Sequence, residues 1–491
     1  MSDVDGNDRF SRAQGIDSYK RRRRWGRVWR VLIGLVLIGI IGGASYLFGK
    51  QFIDAEKIPF DLPGLESESP AVEQEEAAAP VEVQPASMSL LASGDVVLDG
   101  VATESGHRES GAYEFEHLFR QIMGELREYD VRIVAQEPAI AGASYGFGGE
   151  HPLNAPQDLG RAEEKAGFNV VLRANDHTLD TGAEGIHNEL VWWEDNLKNL
   201  PVLGIADEQP ESNPTLANYV SNVYIFEKDG FKIAILNHTS NIEENSKGMV
   251  SLLTPEKIAA DVTRARELGA EMIIACPHWG EENNSEVVDE QKEFARTYAE
   301  QGVDVILGNH PRVLQPVEVL EGPGGHKTVC FYSLGCLING QSDANALGGF
   351  AELQLARNDQ GVCEVTSARL RPTVVHRAQA EDFRTYLLSD YTDDLCYSSM
   401  DSWITVDEWN RRCEEALGDG YNAENMEFVV NLSGASPAEE PAEESSEEES
   451  SKDDKDKKKD DESEATEEDE QYSDGYDGYG YDYGYGYDDY Y

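Results

Sequence analysis

The chain reads as an α/β fold, strands alternating with helices, preceded by one transmembrane helix. Three observations predict it: seven short apolar runs that each end in polar residues, amphipathic segments between them, and one long apolar run near the N-terminus. Runs of about four to eight apolar residues, rich in Val and Ile and bounded by turn residues, read as buried strands. Met88–Ala92 leads to Asp95, Val131–Ala135 to Gln136 and Glu137, and Val170–Ala174 to Asn175, Asp176 and His177. Ile233–Leu236 leads to Asn237 and His238, Met272–Ala275 to His278, Val303–Leu307 to Asn309 and His310, and Val329–Tyr332 to Ser333. Ligands of open α/β sheets gather outside the carboxyl ends of the strands, so these polar groups are expected to converge on one cleft.

Taken from the N-terminus, residues 1–30 form a basic head containing Lys20, Arg21, Arg22, Arg23, Arg24, Arg27 and Arg30. Val31–Phe48 is then unbroken and apolar, close to the roughly 20 residues that cross a bilayer as helix, with Trp29 and Tyr46 as interfacial aromatics. The predicted anchor is 31–49. Basic residues before it and acidic ones after it put the N-terminus in the cytoplasm and the rest outside, a single-pass protein of the cell membrane. A cleaved signal peptide is the rival, given the small residues Gly42-Gly43-Ala44-Ser45, but the long run and long head favour an uncleaved anchor.

Residues 50–87 are rich in Pro, Glu and Ala and cannot bury a core, so they read as an acidic, disordered spacer. The domain over 88–385 interleaves the strands with helices expected at Glu114–Glu128, Ala183–Leu200, Pro255–Leu268 and Glu290–Gln301, the last stopped by Gly302. Residues 386–435 read as a small helical appendage. Residues 436–491, first Glu, Ser, Asp and Lys and then alternating Tyr, Gly and Asp, read as a disordered tail.

The net charge of -53 is spread unevenly, the tail contributing roughly a third of it. No basic stripe faces phosphates, which excludes nucleic acid as a partner. There is no Gly-x-Ser-x-Gly elbow and no phosphate-binding glycine loop ending in Lys-Ser or Lys-Thr. None of the six cysteines forms a Cys-x-x-Cys pair, so a zinc ribbon is not expected. Cys276 and Cys330 fall in strands as small apolar residues, and a disulfide between Cys396 and Cys413 is left open.

Three segments carry the chemistry. The first runs from Gly167 through Asn175-Asp176-His177 and Leu179-Asp180-Thr181-Gly182. The second is Cys276-Pro277-His278-Trp279-Gly280-Glu281-Glu282, and the third passes through Gly308-Asn309-His310-Pro311-Arg312. With Gly94-Asp95 and Tyr332-Ser333-Leu334-Gly335, this ordered set resembles the CapA-type family of poly-γ-glutamate capsule biosynthesis proteins over roughly 88–340.

The resemblance implies a calcineurin-like metallophosphatase sandwich, mixed β-sheets flanked by helices. It implies Asp95, Glu137, Asp176, His278 and His310 as ligands of one or two divalent metal ions, with His177 as general acid or transition-state stabiliser. Mixed oxygen and imidazole donors suit Mn, Zn or Fe, without selecting among them.

The sequence departs from the family pattern at four places. Gln136-Glu137-Pro138 stands for Asn-x-Glu, Asp176 for the second Asn of Asn-Asn-His, Arg312 for the last His of His-Pro-His, and Cys336 for Asn. Arg312 stays protonated and cannot coordinate a metal; it either weakens a second metal position or offers a fixed positive charge to an anionic substrate. The implied function is biosynthesis, export or anchoring of a capsular or surface polymer such as poly-γ-glutamate. The alternative is a metal-dependent phosphoesterase or hydrolase acting on a cell-envelope substrate. The implied partners are the membrane through 31–49, an anionic polymer or cell-envelope component, and other polymer synthesis or export proteins.

Overall fold

The computed structural model describes residues 85–208, 222–242, 248–379 and 382–432. The expected head, membrane anchor and tail, and all but the last three residues of the spacer, lie outside these. Among the described residues, no helix is long and apolar enough to cross a membrane.

The strands are β1 (Ala86–Val96), β2 (Val131–Gln136), β3 (Val170–Leu172), β4 (Val202–Leu203), β5 (Val223–Lys228), β6 (Phe231–Thr239), β7 (Met272–His278) and β8 (Val305–Leu307). Then follow β9 (Val317–Glu321), β10 (Lys327–Phe331), β11 (Cys336–Ile338), β12 (Leu347–Arg357), β13 (Cys363–His376), β14 (Arg384–Leu387), β15 (Tyr421–Asn422) and β16 (Glu427–Val429). One sheet has the order β15-β16-β13-β12-β1-β2-β3-β4, with β11 against β1 and β14 against β13. The other has the order β5-β6-β7-β8-β10-β9. In each, four consecutive strands run parallel, β1 to β4 and β6-β7-β8-β10, and antiparallel strands flank them.

The two sheets share one core. Side chains alternate across a strand, and β6 and β7 show the consequence. Ile233, Ile235, Met272 and Ile274 join the large core that also holds Leu90 and Ile133 of the first sheet. Ala234, Leu236, Ile273 and Ala275 face the other way, against Ile258, Val262 and Ala265 of helix Pro255–Glu267 and Ala295 and Tyr298 of helix Asp289–Glu300. Helices Asp158–Ala166 and Gly182–Leu197 pack on the first sheet through Leu159, Ile186, Leu190 and Trp193. The result is mixed α/β sheets flanked by helices.

Local chemistry sets the helix boundaries. Thr254 caps Pro255–Glu267 by accepting from the Lys257 amide at 3.2 Å, with Pro at the first helical turn. Asp289–Glu300 ends just before Gly302, whose φ of 73° closes the turn. The helix expected at 114–128 instead breaks into the single turns Glu116–Phe119 and Met123–Leu126. Neither has a side-chain cap, and Gly124 weakens the second.

The described part of the expected appendage, residues 386–432, is integrated into the domain. β14 and β16 both pair with β13, and Leu388, Trp409 and Cys413 sit in the main core. Strands of two to four residues are too short to show alternation in a sequence. All six cysteines are free thiols, so the open disulfide does not form.

Candidate metal centre

The strand ends deliver their side chains because glycines let the loops close on them. Near the end of β1 stands Gly94-Asp95, where the Asp95 amide donates to the Gly335 carbonyl at 2.9 Å. A Cβ on Gly94 would lie 2.1 Å from that carbonyl oxygen, so only glycine fits. Gly308 is in the same position, since its Cβ would lie 2.0 Å from the Tyr332 carbonyl oxygen. The loop after Gly308 is strained: His310 and Arg312 adopt φ of 96° and 58°, sparsely occupied by non-glycine residues. Asp95 holds this loop by accepting from the His310 amide at 2.9 Å.

Asp95, Glu137, Asp176, His177, His278, His310 and Arg312 all come together. His278 Nε2 lies 2.9 Å from Asp176 Oδ1 and 3.0 Å from His310 Nδ1, and His310 Nδ1 lies 3.7 Å from the same carboxylate oxygen. The other nitrogen of His278 faces Asp95 Oδ1 at 3.8 Å. Glu137 is held by Arg312, whose Nε donates to Oε1 at 3.2 Å and whose Nη2 donates to Oε2 at 2.6 Å. Nη1 of Arg312 donates to Glu282, and Nη2 also lies 3.2 Å from His177 Nε2. His177 Nδ1 bonds the Asp180 carboxylate at 2.9 Å, which assigns the proton to Nδ1 and turns Nε2 into the cleft.

The titrating groups are strongly shifted. Burial, reinforced by Glu137, pushes the Asp95 carboxyl well above the usual range. Burial opposes charge on Asp176 too, but hydrogen bonds with His278 and His310 outweigh it and hold that carboxyl far below the usual range. Burial lowers His278, favouring the neutral imidazole that ligates metals. For His177 burial acts against protonation, while the Asp180 bond and the charges of Asp176 and Glu137 outweigh it and raise the pKa. The Arg312 N–H aimed at Nε2 favours the neutral ring. Arg312 itself is buried, yet Glu137 and Glu282 keep it firmly charged.

Do these residues fit a cation? Asp95 Oδ1, Gln136 Oε1 and Asn309 Oδ1 are buried acceptors without a hydrogen-bond donor, and all three residues line one small cavity with Glu137 and His278. Its free space is about that of one water. Beside it, two imidazole nitrogens and a carboxylate oxygen of His278, His310 and Asp176 crowd one point. Unpartnered oxygens next to converging nitrogens form a donor set that a divalent ion satisfies.

Two strand-end groups stay out of the cleft. His238 lies one residue beyond Asn237, and alternation turns it to the helix-covered face, where it bonds Tyr298 at 2.8 Å and Asp261 at 3.0 Å. Asn237 faces the cavity and accepts from the Arg173 and Ala174 amides at 3.0 and 2.7 Å. Ser333 accepts from the Gly335 amide at 3.2 Å and serves the turn.

Sequence reasoning missed His151, whose Nδ1 lies 3.4 Å from Asp180, and Arg173 behind the site. Fully buried Arg173 donates to the Gln136 and Glu137 carbonyls at 3.1 and 2.9 Å and pairs with Glu189. An arginine at a strand end gives no local sign that it will be buried. Asp180 and Glu282 lay within the motifs, but nothing in the sequence showed their partners.

Comparison with known proteins places the chain. A family model described as bacterial capsule synthesis protein PGA_cap matches residues 89–341, just over half of the chain. The chain is 28% identical over 218 residues to "PGA biosynthesis protein CapA" of Bacillus subtilis strain 168, covering 43% of this chain and 52% of that protein. It is 24% identical over 283 residues to "Capsule biosynthesis protein CapA" of Bacillus anthracis, covering 54% of this chain and 64% of that one. The matched part thus spans less than two thirds of either relative. Among solved structures, the calcineurin-like phosphoesterase YfkN from Bacillus subtilis matches at 13% identity with a TM-score of 0.35, covering 59% of this chain and 91% of that one. A score that low carries no argument, and the fold rests on the strand order above.

Proposed function

The chain belongs to the bacterial capsule synthesis protein family, and on that premise we propose that it takes part in biosynthesis, export or anchoring of a capsular or surface polymer such as poly-γ-glutamate. In this reading the protein is anchored in the cell membrane through 31–49, its N-terminus cytoplasmic and its globular domain outside. It works there with an anionic polymer or cell-envelope component and with other polymer synthesis or export proteins. One observation supports a working cleft more than any other. Asp95, Asp176, His278 and His310 come from four separate strand ends and meet beside the unpartnered buried oxygens of Gln136 and Asn309, with Asp95 Oδ1 unpartnered as well.

These residues would hold a divalent metal. Such an ion, when bound, supplies Lewis acidity and a more acidic bound water. Asp176 and neutral His278 are poised to donate lone pairs, and Asp95 fixes the His310 loop through its amide. Arg312 holds the Glu137 carboxylate in place, and Trp279, fully buried beside His278, anchors that strand end by donating to the Tyr332 carbonyl at 2.9 Å.

A second reading, metal-dependent hydrolysis of a cell-envelope phosphoester, is favoured by the His177–Asp180 pair. Its geometry suits a group that moves a proton at Nε2, with Asp180 steadying the ring. The test is genetic. A strain lacking the protein is complemented with wild type, Asp95→Ala or His278→Ala, and cell-surface polymer is quantified. Both variants are expected to fail while the proteins accumulate normally. Full restoration by both would show that the cleft is not needed. Phosphoester turnover by the purified protein, lost in His177→Asn, separates the second reading from the first.

A further inference from the structure

We infer that the Arg312 guanidinium is the resident cation of one of the two positions in this cleft, leaving room for a single divalent ion. The inference rests on the metal-binding reading above and specifies how many ions that cleft takes. Among the described residues, four groups of side chains have the spacing to hold an ion: Glu137–Asp176–His177, Asp95–Glu137–His278, Asp176–His278–His310 and His151–His177–Asp180.

In the first, Arg312 Nη2 is already bonded to two of the three donors, 2.6 Å from Glu137 Oε2 and 3.2 Å from His177 Nε2. A cation there would have to displace a buried charge paired with Glu137 and Glu282. The second and third groups share His278. Its two nitrogens face Asp95 and Asp176 respectively, and a neutral imidazole has one lone pair to give. They therefore compete for one ion. In the fourth group the same Asp180 oxygen already accepts from His177 Nδ1 at 2.9 Å and the Leu153 amide at 2.8 Å. The nitrogen facing that carboxylate, His177 Nδ1, carries the proton and has no lone pair to give an ion.

The backbone is arranged to keep the guanidinium in place. Arg312 sits at φ 58°, a conformation disfavoured for a long side chain. Its carbonyl accepts from the Asn345 amide group at 3.3 Å, and the neighbouring Pro311 carbonyl accepts from the Asn283 amide at 2.9 Å. Glu282 then closes on Nη1 from the mouth of the cleft. Every nitrogen of the guanidinium is thus committed to the site's own groups, so it neutralises Glu137 as a second metal would, but permanently.

The test is stoichiometry. The full-length chain, stripped with chelator and reloaded with Mn2+, is read by elemental analysis and by electron paramagnetic resonance. Wild type is expected to hold one Mn2+ per chain with an isolated six-line spectrum. Arg312→His, which restores an imidazole, is expected to hold two with a spin-coupled spectrum, and Arg312→Lys one. Two ions in wild type, or one in a folded Arg312→His protein, would overturn the inference while leaving metal binding intact. No bound Mn2+ in wild type would overturn it together with the reading on which it rests. Because the wild-type count decides by itself, the inference stays falsifiable even if a variant fails to fold.

Discussion

Replacing Arg173 with Met should be among the most damaging single changes in the protein, though the residue touches no candidate ligand side chain. Its guanidinium, fully buried, makes two bonds to Glu189 at 2.7 and 3.1 Å and one each to the Gln136 and Glu137 carbonyls. Removing one partner of a buried ion pair costs about 3–5 kcal/mol, because the other charge is left unpaired. The Gln136 carbonyl keeps the Asn175 side-chain amide at 2.9 Å, but the Glu137 carbonyl loses its Arg173 bond, adding about 1 kcal/mol. The expected destabilisation is therefore about 4–6 kcal/mol, a large part of a typical domain's about 5–15 kcal/mol.

Arg173→Met/Glu189→Leu should recover roughly half of that loss, about 2–3 kcal/mol, since apolar replacement of a buried pair is often neutral. Recovery stays incomplete because the Trp193 indole N–H, 3.3 Å from Glu189, loses its acceptor. Urea unfolding followed by tryptophan fluorescence and by circular dichroism measures each free energy. A single variant within about 1 kcal/mol of wild type would refute the reasoning, and so would a double variant less stable than the single.

Other predictions follow from the same geometry. Gly94→Ala, whose new methyl meets the Gly335 carbonyl at 2.1 Å, should displace Asp95 and lower both stability and Mn2+ affinity; unchanged affinity by calorimetry would contradict that. Burial raises Asp304 from an ordinary 3.8 to about 6, so the folded state keeps a proton that the unfolded chain has released. Its stabilising contribution is complete below about pH 4 and lost as pH rises through about 6, so Asp304→Asn should flatten that fall by about 3 kcal/mol; parallel pH profiles would count against it. Adding Mn2+ should raise the unfolding free energy of wild type, by about 2.7 kcal/mol at a hundredfold excess over Kd, and not that of His278→Ala. An equal rise in both would place the ion elsewhere.

Much of the fold was legible because local patterns encode it. The apolar runs became strands, and the amphipathic segments at 183–200, 255–268 and 290–301 became helices at nearly those limits. Integration of 386–432 was not legible, since β14, β15 and β16 are too short to alternate; β14 and β16 are held by β13, and β15 by β16. In the site, the motif residues could be named from order and type alone. Which of two adjacent polar residues enters the cleft could not: Asn237 does and His238 does not, a matter of which strand face each occupies.

The sequence by itself determined which chemical groups stand at the strand ends, because apolar run, glycine and polar residue are neighbours along the chain. It also determined that a guanidinium replaces an imidazole at Arg312. Only the tertiary structure decided what these groups do to one another. Asp95 reaches His310 across 215 positions and Arg312 reaches Glu137 across 175, contacts that exist only once the two sheets have closed on a common core. Burial in that core makes an unpartnered oxygen costly and a paired guanidinium permanent, and neither property belongs to a residue read alone.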